Sequence, residues 1–255
     1  MSYGSTHNFS TFSASSAPLS QQNALVPAGV VTTVDALLSR LTAGETQFAK
    51  AILNNARLMQ VVLDRVNLFE AELNQANLTR SSLCRANLCL AKLSRAQLIA
   101  ANLSGANLTG ALIDDANLTG AVLVGADLHQ ANLSHSLFGG ATLDGAMLCR
   151  SQMRHSKLNA ASLRGADMSA ADLTRADLSG ANLSGAIAWS AVLVGARLQG
   201  ADLSGVDFSR ANLTNANLAG ALVKGADFSK CILKDAIMPD GTLNPSSSMK
   251  GTQSI

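Results

Sequence analysis

Aromatic side chains are nearly missing from this chain: one Trp, one Tyr and seven Phe make up 4% of 255 residues. Charge is sparse too, at 14%, with 19 Lys and Arg against 17 Asp and Glu. A globular core of this size draws on more aromatic bulk, and its surface on more charge, so the 47% apolar content must pack in another way. A net charge of +2 gives no electrostatic reason to expect nucleic acid or a membrane surface as a partner. No apolar run approaches the roughly 18 residues of a membrane span. The first residues lack the basic start and apolar stretch of a secretory signal. Four cysteines are too few for a disulfide framework, so free thiols and a cytoplasmic location are expected.

What the sequence has in abundance is a repeat. Starting at Phe48, steps of five land on Leu53, Leu58, Leu63 and onward to Leu233 and Met238. Residues 46–240 thus hold 39 pentapeptides without insertion or deletion. Of their centres 29 are Leu, four Phe and three Met, and the others are Ile113, Val223 and Ala188. Two residues before the centre stands Ala in 30 pentapeptides, and a small or β-branched residue in the rest.

A helix repeats its apolar face every 3.6 residues and a flat strand every 2.0, so a period of five fits neither. It fits a chain that turns a corner every five residues and points two side chains inward on each side. Four sides close a coil of 20 residues, and stacked coils pair as parallel strands. The residue before the centre then faces outward beside a corner; it is Asn ten times and Asp seven times, types whose side chains bond nearby backbone and support turns. The second residue after the centre is Gly 14 times, as a strained corner demands. Ala beside Leu makes a narrow core with little room for aromatics.

Motifs such as Ala76-Asn77-Leu78-Thr79-Arg80 and Ala181-Asn182-Leu183-Ser184-Gly185 resemble the pentapeptide-repeat family over 195 of the 255 residues. The resemblance implies an all-β solenoid, a right-handed quadrilateral parallel β-helix, here just under ten coils and about 47 Å long. Such a rod needs capped ends. Residues 33–45 read as an N-terminal capping α-helix, with Thr33 as N-cap, Val34, Leu37, Leu38 and Leu41 as the apolar stripe and Gly44 as the stop. Met238-Pro239-Asp240-Gly241 ends the repeat. This entry and exit are similar to those of short cyanobacterial members of the family. Residues 1–32 carry no charge and read as a flexible arm, with Tyr3, Phe9 and Phe12 as its aromatics; residues 241–255 read as a tail.

The outward residues supply the functional candidates. Stacked at intervals of 20, one corner column reads Arg95, Asp115, His135, His155, Arg175. Asp115, His135 and His155 could ligate a divalent metal, against the simpler reading of two exposed imidazoles beside an Arg–Asp pair. No metal site, cofactor or catalytic group is assigned, because a smooth rod lacks the concave pocket that catalysis needs. Cys84, Cys89 and Cys149 fall at outward positions on diverging sides and Cys231 inward. Trp189 follows the single Ala centre, Ala188, and either anchors a partner or covers an underfilled side. Residues 46–100 carry seven basic and three acidic side chains, and Arg57, Arg65, Arg80 and Arg85 share two neighbouring sides. Residues 101–149 carry four acidic and no basic ones.

The expected function is a non-enzymatic scaffold that binds another protein through Arg57, Arg65, Arg80 and Arg85 or through Trp189, with a homodimer left open. Photosynthetic-assembly or signalling partners follow only by analogy with cyanobacterial members. The alternative that the resemblance implies is binding a type II topoisomerase by imitating DNA, which requires a strongly acidic rod. The solenoid sums to +2, and no side is expected to carry an acidic stripe.

Overall fold

The computed structural model describes residues 29–244. The repeat builds a four-sided parallel β-helix. Each residue before a centre bridges its counterpart twenty positions on, from Gln47–Asn67 without interruption to Asn217–Ile237. These bridges form four flat columns: side 1 runs from Gln47 to Asp227, side 2 from Ile52 to Ile232, side 3 from Arg57 to Ile237 and side 4 from Val62 to Leu222.

One pentapeptide shows why the coil closes. Ala76 N–H donates to Leu73 O across the preceding corner (3.0 Å). Asn77 N–H reaches back one coil to Ala56 O (2.8 Å), while Leu78 and Arg80 N–H reach forward to Gln97 O (2.7 Å) and Ile99 O (2.9 Å). The remaining donor, Thr79 N–H, is taken by Asn77 Oδ1 at 3.0 Å. All five amides are therefore paired, which a narrow, dry core requires. The same side-chain acceptance recurs at all seventeen pentapeptides with Asn or Asp in that place, from Asn67 to Asp227.

Every corner also needs a left-handed residue. The second residue after each centre has φ between +53° and +72° from Lys50 to Asp235, as the third residue of a type II turn does. Glycine does this without strain, yet 24 of these corners carry a side chain. The ladder bonds on either side hold them there.

Inside, Ala and Leu alternate fully buried along the rod, as Ala126 and Leu128 illustrate. Ala188 itself is completely buried. Met168 and Phe208 are its neighbours one coil to either side in the same inward column, and both are completely buried. Phe208 in turn stacks on Phe228, with ring centroids 5.3 Å apart.

Helix α1, Val34–Thr42, closes the N-terminal end. Thr33 caps it by accepting from Ala36 N–H, and Leu37 is wholly buried. Leu38, expected in the apolar stripe, is 37% exposed: next to Leu37 on the helix, it turns away from the coil. Arg40 clamps the junction through Glu45 (2.8 Å), the Gly29 carbonyl and the Phe48 ring. Residues 1–28 of the expected arm, and residues 245–255 of the expected tail, lie outside the described residues.

Candidate protein-docking surfaces

The coil period decides which outward side chains meet. Arg65 and Arg85 stand one coil apart on the corner between sides 4 and 1, Arg80 on the corner between sides 3 and 4, and Arg57 on side 3. All four are exposed, and none forms an ion pair or side-chain hydrogen bond among the described residues. Asp64, the acid nearest in sequence to Arg65, is turned aside: its Oδ1 accepts from Ser82 Oγ (2.6 Å) and Cys84 N–H (2.9 Å). The first coil contributes two apolar residues to the same area, Met59 (53% exposed) and Val62 (65%). Sequence reasoning missed both, although Val62 replaces the usual Asn or Asp of its position.

Trp189 stands on the corner between sides 1 and 2, 44% exposed, with the Arg210 guanidinium 6.0 Å from its ring centre. Nearly half of its surface is open to solvent. Met147 and Ile187 on side 1 are similarly exposed.

Side 1 corrects one expectation. The period of 20 places Asp127, Asp167, Asp207 and Asp227 in a single column, alternating with Met147 and Ile187 before ending in the adjacent pair Asp207–Asp227. No Lys or Arg lies within ion-pair distance of these four among the described residues; Asp127 instead meets His129 Nδ1 at 2.7 Å. An acidic column thus exists, although Arg150, Arg164, Arg210, Lys224 and Lys230 occupy the corners beside it and keep the region from being strongly negative.

The histidine column separates into two parts. His135 and His155 stack, with ring centroids 5.1 Å apart and planes 4° from parallel. Asp115 faces Arg95 at 3.9 Å. Among the described residues no three His, Cys, Asp or Glu side chains come together as a metal site.

The cysteines are all free thiols. Cys89 and Cys149 share one corner column, three coils apart, and do not diverge as expected; Cys84 lies on another corner. Burial, then Asp167, pushes the Cys149 thiol up to about 11, and burial pushes Cys231 up to about 12. Burial, then the charges of Asp127 and Glu70, raises Cys89. None of these three is a poised thiolate. A shallow depression of about 320 Å³ floored by Ile52 and Leu90 is walled by Lys50–Glu70 (3.5 Å) and Lys92–Glu72 (2.8 Å), whose charges satisfy one another. No helix among the described residues is long and apolar enough to cross a membrane.

An unbroken five-residue period, four flat sides and corners set by left-handed residues define a quadrilateral β-helix repeat protein. The family profile described as pentapeptide repeats matches overlapping segments from residues 44–79 to 211–243, and the chain belongs to the pentapeptide-repeat family, whose fold is the right-handed quadrilateral β-helix. It is similar to HetL, a pentapeptide repeat protein involved in heterocyst differentiation regulation in the cyanobacterium Nostoc sp. strain PCC 7120. That likeness has 35% identity, 84% of this chain and 100% of HetL covered, and a TM-score of 0.42. A pentapeptide repeat protein of the Arabidopsis thaliana thylakoid lumen is 32% identical over 40% of this chain and 68% of its own length, with a TM-score of 0.36. QnrB1, a plasmid-mediated fluoroquinolone resistance protein, is 18% identical over 61% of this chain and 86% of its own, with a TM-score of 0.48. No curated protein sequence matches the chain significantly.

Proposed function

We propose that the protein is a non-enzymatic interaction scaffold that docks a carboxylate-rich protein segment on the first coils of side 4. The observation that carries this reading is the set of four unpaired arginines, Arg57, Arg65, Arg80 and Arg85, around exposed Met59 and Val62. Arginine rims and apolar centres, Met included, are what protein interfaces concentrate. A guanidinium also grips a carboxylate through two parallel bonds, a geometry Lys cannot reproduce. The rigid rod holds these groups in place before the partner arrives, so little ordering cost remains. A photosynthetic-assembly or signalling protein is the partner class suggested by analogy with cyanobacterial members of the family, and a reducing compartment such as the cytoplasm suits the four free thiols. A homodimer is compatible with this use, since side 4 stays accessible along the rod.

The test is capture of partners from cell extract by the full chain and by Arg65→Glu/Arg85→Glu. Loss of the captured partner in the double variant, and weaker capture at raised salt in the parent, support the reading. Full capture by the double variant refutes it. A second reading rests on Trp189: if Trp189→Ala alone abolishes capture, the site is the corner of sides 1 and 2, about six coils away.

A DNA-mimicking topoisomerase binder is disfavoured by the +2 balance of the solenoid and by the cations flanking the side 1 aspartates. A metal on His135 and His155 is disfavoured by the engagement of Asp115 with Arg95.

A further inference from the structure

Around the stacked histidines, at the corner between sides 2 and 3, cations outnumber the acids free to meet them. Arg95 takes Asp115 (3.9 Å), Arg154 takes Asp172 (2.6 Å) and Arg197 takes Asp177 (3.8 Å). Asp114, at the edge of this area, accepts from Ser94 Oγ (2.7 Å). His135, His155, Arg175 and Lys157 are left over. All four are exposed, and none has an ion pair or side-chain hydrogen bond among the described residues. Lys157 acts on Asp177 only as a more distant charge. His135, His155 and Arg175 follow one another in a single left-handed corner column, one coil or about 4.8 Å apart along the backbone. Lys157 stands two residues beyond His155, on side 3. The backbone beneath is braced from inside, because buried serines directly follow both histidines. Ser156 Oγ donates to Met153 O across the corner that carries His155 (2.7 Å). Ser136 Oγ donates to Ile113 O and accepts from Ala116 N–H (3.1 Å), which ties it to the Asp115 corner one coil earlier. A hydroxyl in an apolar core is costly unless bonded, and here the bonds go to the turns of this one column.

We propose that His135, His155, Arg175 and Lys157 form a docking point for a phosphorylated serine or threonine in a segment of a partner protein. A phosphate monoester is a near-dianion with three strong acceptor oxygens pointing apart. Those oxygens can be shared among ring N–H donors one coil apart, a forked guanidinium and an ammonium. A carboxylate has two oxygens close together in one plane and reaches fewer of these donors at once. The open corner has no walls that would bury a free ion, so the phosphate must arrive on a chain that makes further contacts. Side 3 offers these beside the column, at half-buried Asn117 and Leu137. This corner lies diagonally opposite the one that carries Arg65 and Arg85, so both surfaces can be occupied together. The inference therefore goes beyond the side 4 reading and does not depend on it.

Fluorescence anisotropy with the full chain tests this, using a labelled peptide of Ser, Gly and Ala that carries one phosphoserine. The same peptide unphosphorylated, and with Glu in place of the phosphoserine, serves as control. The phosphorylated peptide should bind about tenfold or more tightly than either control. His155→Gln/Arg175→Gln should lose most of that difference with unchanged melting, since both residues are exposed. Arg65→Glu/Arg85→Glu should keep it. Raising the pH from about 7 to about 8.5 should weaken binding, because imidazole sheds charge near neutral pH while the phosphate stays dianionic. The Asp, Arg and Lys residues around the column hold their charges across that range. Equal affinity for the three peptides overturns the proposal. Loss of binding in Arg65→Glu/Arg85→Glu but not in His155→Gln/Arg175→Gln also overturns it and assigns the phosphate to side 4. Inorganic phosphate that binds as tightly as the peptide overturns the protein segment as the source.

Discussion

Asn77 Oδ1 accepts the Thr79 amide at 3.0 Å, and that one bond explains the commonest outward residue of the sequence. The amide after each centre is the only donor the ladder and the corner leave over. Asn or Asp two positions earlier takes it. Where neither is present, an Asn or Asp one coil earlier can serve: Asp64 accepts from Cys84 N–H (2.9 Å) and Asp144 from Arg164 N–H (3.1 Å). The acceptor requirement is thus a property of the coil stack and not of the single pentapeptide.

Removing such an acceptor should cost a measurable, local amount. Asn182→Ala strips the acceptor from Ser184 N–H (2.9 Å) and should lower stability by about 0.5–1.5 kcal/mol. Thr142→Ala, at the same place on side 4 two coils earlier, removes no such bond and should be nearly silent. Equal melting shifts for the two would refute the role.

Overpacking the interior should cost more. Ala126 is fully buried in the inward row, so Ala126→Leu forces methyl groups into occupied space and should destabilise by about 1–3 kcal/mol. An unchanged denaturation midpoint would contradict the inward placement.

The corners predict a gain. Ala170 holds φ at +56°, a conformation that a residue with a Cβ enters only against steric resistance. In Ala170→Gly that resistance disappears, partly offset by the greater freedom of glycine in the unfolded chain, so stability should rise by a few tenths of a kcal/mol to about 1. The reverse change, Gly185→Ala at φ +67°, should destabilise. Thermal melts of the pair decide it, and shifts of the same sign would contradict the corner argument.

Acid should unfold the rod through the same aspartates. The Ser204 hydroxyl and then its amide hold the Asp202 carboxyl below the usual range. For Asp172, burial works upward but is outweighed by the Thr174 hydroxyl and amide and by Arg154, so its carboxyl too is lowered. A carboxyl lowered on folding contributes stability that is present above its unfolded value, near about 4, and lost as pH falls through the folded value. Chemical denaturation should therefore give a flat midpoint from pH 7 to about 5 and a decline below about 4. A midpoint that rises with acidification would contradict this sign.

The thiols should be slow. With Cys149 near about 11 and Cys231 near about 12, alkylation of either at pH 7.5 should lag far behind a free thiol of ordinary reactivity, near about 8.5. Mass-spectrometric mapping of modified sites checks this, and rapid labelling of Cys149 would revive a redox role.

The sequence by itself determined the architecture. A period of five with Ala and Leu in fixed register admits only a chain that turns every five residues, because those side chains can be buried in no other regular backbone. The cap at Thr33 and the inward set were readable for the same reason: both depend on neighbours within a few positions. Outward relationships depend on positions 20 apart and on the orientation of side chains, which no local pattern fixes. The aspartate column of side 1 and the shared corner of Cys89 and Cys149 emerge only when coils are stacked. That Trp189 presents its ring at the surface beside the Arg210 guanidinium, one coil on, is likewise seen only in the stack. The division of the histidine column was decided by Arg95, which reaches Asp115 and leaves His135 and His155 to stack on each other.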